Sequence, residues 1–185
     1  MLEIRLHGRG GQGAVIGGKI LATAVFSEGK FVQAFPAFGV ERRGAPVTAF
    51  VRIDDSQINL RHGIYHPDHL IILDSTLINN PATFDGLKPG GVVLINTKHE
   101  PDLFRQNPKL AENKIATVDA NAIAIRHKVG SATSPIVNTA ITGAFIKVTE
   151  ICSIESLCNA IMKGVPIKPD ANAAAARDAY AEVRI

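Results

Sequence analysis

The sequence predicts one α/β domain across residues 1–185: a single doubly wound unit with a mostly parallel sheet and helices on both faces. Three observations predict it. Residues 68–74, 92–96 and 115–120 (DHLIILD, VVLIN, IATVDA) are short apolar runs of the kind that form strands covered on both faces. Segments of crossover length lie between the strands, as parallel pairing requires. A Gly-rich turn at 7–13 joins an alternating strand to a helix, and in such sheets ligands gather outside the carboxyl ends of the strands.

Each element follows from local pattern. Residues 2–6 (LEIRL) alternate and predict the first strand. Residues 14–29 place Val15, Ile16, Ile20, Leu21, Ala24 and Val25 at helical spacing, and Gly29 stops the helix. A second strand starts at Lys30 and is broken by Pro36; residues 47–53 (VTAFVRI) form another. After a tight turn at 54–57, residues 58–60 are expected to make a short return strand. A short helix in 80–87 and a Pro-Gly-Gly turn lead into 92–96. Residues 120–130 predict a helix ended by Gly130. Residues 138–150 predict a buried helix containing Gly143, residues 153–164 a helix stopped by Gly164, and residues 170–185 an Ala-rich helix that docks on the domain or on a partner.

Composition narrows the function classes. With 46% apolar and 20% charged residues the chain is an ordinary globular one. No apolar run approaches the ~18 residues of a membrane span, and the N-terminus has no signal-like stretch, so a cytoplasmic protein without a membrane span is expected. The net charge of +3 is concentrated in the first third, at Arg5, Arg9, Lys19, Arg42, Arg43, Arg52 and Arg61. That bias suits an anionic ligand or an acidic partner. It lacks the aromatic–basic interleaving of a nucleic-acid platform, so no nucleic-acid partner is expected. Cys152 and Cys158 stand six apart, which is neither a zinc nor an iron–sulfur spacing, and both are expected to pack as small hydrophobes.

The strongest local signal is Gly8-Arg9-Gly10-Gly11-Gln12-Gly13. Glycines let backbone approach a ligand closely, and the helix that follows presents free amides to an anion. Arg9 can add a forked contact to phosphate. A dinucleotide site also needs an acidic residue about 20 positions on, at the end of the next strand, and residues 31–36 hold none. That weakens a dinucleotide reading, and with it a free-standing nucleotide-binding protein, beside two others: another phosphate-bearing ligand, or a structural turn and partner contact. A second cluster, Glu41-Arg42-Arg43-Gly44, is flanked by Phe35, Phe38 and Phe50. Glu41 is expected to orient one arginine while the other faces an anion or a partner, against the alternative of a solvated turn.

The remaining polar candidates are weaker. His7 ends the first strand without an acidic neighbour in sequence, so catalytic and structural readings are balanced. His62, His66 and His69 surround Pro67, which prevents their sharing a helical face; a polar loop is expected rather than a metal site. Asp74, followed by Ser75 and Thr76, either faces a ligand or caps the next turn.

Two motifs together carry a resemblance. R-L-H-G-R-G-G-Q-G at 5–13 and F-P-A-F-G-V-E-R-R-G-A-P-V at 35–47 resemble the gamma subunit of pyruvate:ferredoxin and related 2-oxoacid:acceptor oxidoreductases. The likeness continues through VTAFVRI, DHLIILD, GGVVLIN and N-T-A-I-T-G-A-F at 138–145, nearly the whole chain. It implies a non-redox subunit, inactive alone, in an enzyme that turns a 2-oxoacid, coenzyme A and an oxidised acceptor into acyl-CoA, CO2 and reduced acceptor. It implies thiamine diphosphate and iron–sulfur clusters in partner subunits of alpha, beta and delta type, with ferredoxin or another acceptor reached through them. The gamma part resembles the domain that receives coenzyme A and helps build the assembly. On that resemblance Arg9, Gly10, Gly11, Gly13, Glu41, Arg42, Arg43, Asn138 and Thr139 are the expected binding residues, and no residue of this chain is expected to be catalytic.

Overall fold

A computed structural model describes residues 1–37 and 44–185. Six strands form one sheet: β1 (Leu2–Arg9), β2 (Phe31–Pro36), β3 (Pro46–Asp54), β4 (His69–Ile72), β5 (Val92–Asn96) and β6 (Lys114–Val118), in the order β2-β3-β1-β4-β5-β6. β1, β4, β5 and β6 pair in parallel. β3 runs antiparallel to both its neighbours, β1 and β2, so the other five strands share one direction. The expected mostly parallel α/β sheet is therefore present, with a single reversed strand at its N-terminal half. The C-terminal residues close the opposite edge: Thr117 and Arg184 exchange backbone hydrogen bonds of 2.9 Å across β6.

Helical segments cover both faces, unequally. One face is packed by α1 (Ala14–Ser27), α2 (Ala120–Arg126), α3 (Asn138–Thr149), α4 (Ile154–Gly164) and α5 (Pro169–Glu182), around Ile4, Leu6, Val51, Ile71, Leu94 and Val118 of the sheet. α3 is buried over most of its length, from Asn138 to Ile146, between the sheet and the outer helices. The other face holds a smaller core of Leu70, Ile72, Val93, Ile95 and Ile115. Four 3-10 turns cover it in place of α-helices: Ser75–Asn79, Pro81–Phe84, Pro101–Phe104 and Pro108–Leu110. Three of them begin on proline, which sets the first-turn φ and needs no amide partner, and each stops after one turn.

Two local expectations are corrected. Residues 58–60 form no strand, because β3 is already hydrogen-bonded on both edges and offers no free one. The Ile58 carbonyl instead accepts from Gln33 Nε2 at 3.0 Å. α2 ends at Arg126, not at Gly130; Lys128 takes a left-handed φ of 54°, and Gly130 opens a small hairpin of β7 (Gly130–Ser131) and β8 (Ser134–Pro135).

Candidate functional site

The carboxyl ends of the four parallel strands lie along one edge of the sheet, and the Gly-rich loop occupies it. β1 runs to Arg9, and α1 starts at Ala14 after Gly13 in the left-handed region, with φ 77°. Among the described residues no side chain caps α1, and no acidic residue stands in its first turn. The helix thus directs its positive end and first-turn amides at the space over the loop, where an anion is favoured. Gly11 has φ 97°, and a Cβ there would have no atom of the described residues within 4 Å. At Gly13 a Cβ would lie 2.3 Å from Asn138 Nδ2, so the loop presses directly on the start of α3.

Arg9 is committed to the protein. Its Nε meets Asp74 Oδ2 at 3.0 Å, Nη2 donates to Thr76 Oγ1 at 2.8 Å, and Nη1 donates to the Gly44 carbonyl at 3.0 Å. Gln12 completes the lock: its Oε1 accepts from the Arg9 amide at 2.7 Å, and its Nε2 donates to Asp74 Oδ2 at 3.1 Å. Asp74 Oδ1 caps the next 3-10 turn through the Thr76 amide at 3.0 Å. Burial pushes the Asp74 carboxyl up, but the hydrogen bonds from Thr76 and Gln12 and the charge of Arg9 outweigh it, and its pKa lies below the ordinary value. Asp74 is thus both a cap and the anchor of the loop.

Several expected residues take other places. Asn138 is buried at the start of α3, donating from Nδ2 to the Gly13 carbonyl at 3.3 Å and accepting the Thr139 amide at Oδ1 at 2.9 Å. It supports the loop from beneath. Thr139 does not face the loop: its hydroxyl donates to Asn172 Oδ1 of α5 at 2.8 Å. Glu41, Arg42 and Arg43 lie outside the described residues, while Gly44 and Ala45 tie their end of that segment to Gly10 by backbone hydrogen bonds.

The positive bias of the first third is redistributed. Arg52 is fully buried, with Nε on Glu3 Oε1 at 2.9 Å and Nη2 on the Gly63 carbonyl at 3.2 Å. Arg5 is also buried and donates to the Thr83 carbonyl at 3.0 Å. Both serve the folded core, not a ligand. His7 Nε2 is covered and has no hydrogen-bond partner among the described residues. Burial first, then the charge of Arg5, lowers its pKa to about 3, so the imidazole is neutral. His62 and His69 serve backbone: His62 Nδ1 lies 2.8 Å from the Gly63 carbonyl, and His69 Nδ1 accepts the Val92 amide at 2.9 Å. Burial, followed by the charge of Glu28, raises the Cys152 thiol to about 12, as suits an unreactive packed cysteine.

Two residues of this edge carry weak sequence signals. Gln12 stands inside the glycine motif, yet its role needs Asp74, 62 residues away. Asn96 ends the apolar run of β5; its Nδ2 donates to the Leu73 carbonyl at 2.9 Å and its Oδ1 accepts the Ala120 amide at 3.0 Å, joining β4, β5 and α2. A lone amide at the end of a buried strand was the available sign.

A model of the family described as pyruvate ferredoxin/flavodoxin oxidoreductase matches residues 3–182. The chain belongs to this family. Among curated relatives it is 52% identical to the pyruvate synthase subunit PorC of Methanocaldococcus jannaschii, over 99% of this chain and 97% of that one. It is 48% identical to the pyruvate/ketoisovalerate oxidoreductases common subunit gamma of Thermococcus kodakarensis, over 97% and 96%. The crystal structure of pyruvate oxidoreductase subunit PORC from Thermotoga maritima superposes with a TM-score of 0.82 at 38% identity, covering 99% and 97% of the two chains. These family relatives are single subunits, and the match runs from end to end.

Proposed function

We propose that this chain is the gamma subunit of a thiamine-dependent 2-oxoacid:acceptor oxidoreductase, a cytoplasmic complex whose alpha, beta and delta-type subunits hold thiamine diphosphate and the iron–sulfur clusters. The observation that carries this reading is the end-to-end match to single gamma and PorC subunits at about half identity. The complex joins a 2-oxoacid, coenzyme A and an oxidised acceptor to give acyl-CoA, CO2 and reduced acceptor, with ferredoxin or another acceptor reached through the partners.

Within it, this chain receives coenzyme A and supports assembly. The uncapped start of α1, beside a loop whose Gly11 leaves open space, suits the phosphates of coenzyme A. Arg42 and Arg43 follow in sequence immediately before Gly44, whose amide is bonded to Gly10, and would supply the positive charge. Glu41 would orient one of them.

The test uses the intact complex. Native mass spectrometry of protein from its own source should show the chain with thiamine-binding and cluster-bearing subunits. In that complex Arg42→Ala and Arg43→Ala should raise the KM for coenzyme A while leaving assembly intact. An unchanged KM in both variants would reduce the chain to an assembly subunit without coenzyme A contact.

A further inference from the structure

An apolar groove lies on the outer side of α1, and Asn138, which supports the Gly-rich loop, is part of its lining. It encloses about 470 Å³ between α1, the C-terminal end of α4, the β7–β8 hairpin and the segment leading to α5. Its walls include Ile20, Val129, Ile136 and Val165. At its margins Ile16 is 52% and Ile167 73% exposed, and further along α1 Phe26 is 63% exposed. The uncovered side of α1 mixes the apolar Ile16 and Phe26 with Lys19, Thr23 and Ser27. Two lysines, Lys19 and Lys168, stand on the groove, and no carboxylate lines it among the described residues.

We propose that this groove docks an apolar segment flanked by carboxylates from another subunit of the complex. Three points select that occupant. Past Lys19 and Thr23, which it shares with the groove, a second recess is lined by Ala22, Val32, Ala34 and the exposed Phe26. A small molecule in the cavity would leave that surface in water, whereas a protein segment covers it. The charge on the groove has one sign, so acidic flanks complement it. Two copies of this chain meeting groove to groove would each add two lysines to a seam that no carboxylate lines among the described residues, which disfavours that arrangement. The inference rests on the subunit reading above and adds where one partner sits.

The test is zero-length carbodiimide cross-linking of the intact complex, which joins an amine to a carboxylate in contact, followed by peptide mass spectrometry. Lys19 and Lys168 should be joined to Asp or Glu of a different subunit. Phe26→Glu with Ile167→Glu, at two exposed positions, should abolish those links and release the chain from the complex. Links confined to this chain or to a second copy of it, in a complex that still contains the other subunits, overturn the proposal alone. Failure to co-purify with other subunits overturns the subunit reading, and this proposal with it.

Discussion

Substituting Gly13 tests whether the Gly-rich loop is set by its contact with α3. Gly13→Ala incurs two separable costs. A left-handed φ of 77° costs an L-residue roughly 1–2 kcal/mol. The new Cβ would lie 2.3 Å from Asn138 Nδ2 and 3.1 Å from its Cγ, so the Asn138 side chain must turn away. That breaks its bond to the Gly13 carbonyl and strands a buried amide, about 1–3 kcal/mol. The single variant should therefore lose about 2–5 kcal/mol. Asn138→Ala removes the obstructing amide, and the residue-138 atom left nearest is Cβ at 3.5 Å, an ordinary contact. In that background Gly13→Ala should cost only the backbone strain, roughly 1–2 kcal/mol. A double-mutant cycle by denaturant unfolding should thus give a coupling of about 1–3 kcal/mol in the relieving direction. If Gly13→Ala costs the same in both backgrounds, the contact with Asn138 does not fix the loop.

Three further variants probe other parts of the reasoning. A Cβ at Gly143 would sit 2.0 Å from the Ala176 carbonyl oxygen, where backbone meets backbone, so Gly143→Ala should part α3 from α5 and lose about 3 kcal/mol in unfolding free energy; an unshifted midpoint would refute the close approach. His7 titrates near 3 when folded against 6.5 when free, so unfolding takes up a proton between those values. Stability is full above pH 6.5 and falls toward pH 3 by up to about 1.4 kcal/mol per pH unit, and His7→Gln should flatten that slope; an equal slope in the variant would show that His7 is not buried neutral. Arg9→Lys keeps the charge but loses the fork, so it should melt as low as Arg9→Ala; a melting temperature restored by lysine would mean that charge alone is needed.

Legibility in the sequence followed the range of the interactions. β4, β5 and β6 were readable because strands covered on both faces are apolar throughout, and the Gly-rich turn because its glycines are adjacent in the chain. β3's reversal left no local mark: VTAFVRI alternates as any strand does, and its direction is set by the short connection to β2 and by pairing with β1. The buried arginines were hidden for a related reason. The two-residue period puts Glu3, Arg5 and His7 on one side of β1, which reads as a solvated face. Residues 62–64 fold over that side: Ile64 is buried and the Gly63 carbonyl receives Arg52. Nothing within β1 or β3 announces that cover. The helix pattern around Thr139 shows burial, but that its hydroxyl meets Asn172 depends on how α5 packs, which no residue of α3 marks.

The loop's own chemistry separates two tasks that the sequence had joined. The sequence offers Arg9 as a phosphate contact, yet its three nitrogens are distributed over Asp74, Thr76 and Gly44, and its charge is balanced by Asp74. A guanidinium so engaged adds little net attraction for an anion. It joins β1, the end of β4 and the start of β3, so its effect on a ligand is to fix where the loop and α1 stand. Among the described residues, what attraction remains at this edge belongs to the α1 amides, since no acidic residue stands in the helix's first turn. On the proposed reading the loop separates positioning, by Arg9, Gln12, Asp74 and Asn138, from anion contact, which falls to backbone amides and to Arg42 and Arg43. That division also accounts for the absence of an acidic residue in the first turn of α1: a carboxylate there would cap the amides and occupy the space an anion needs.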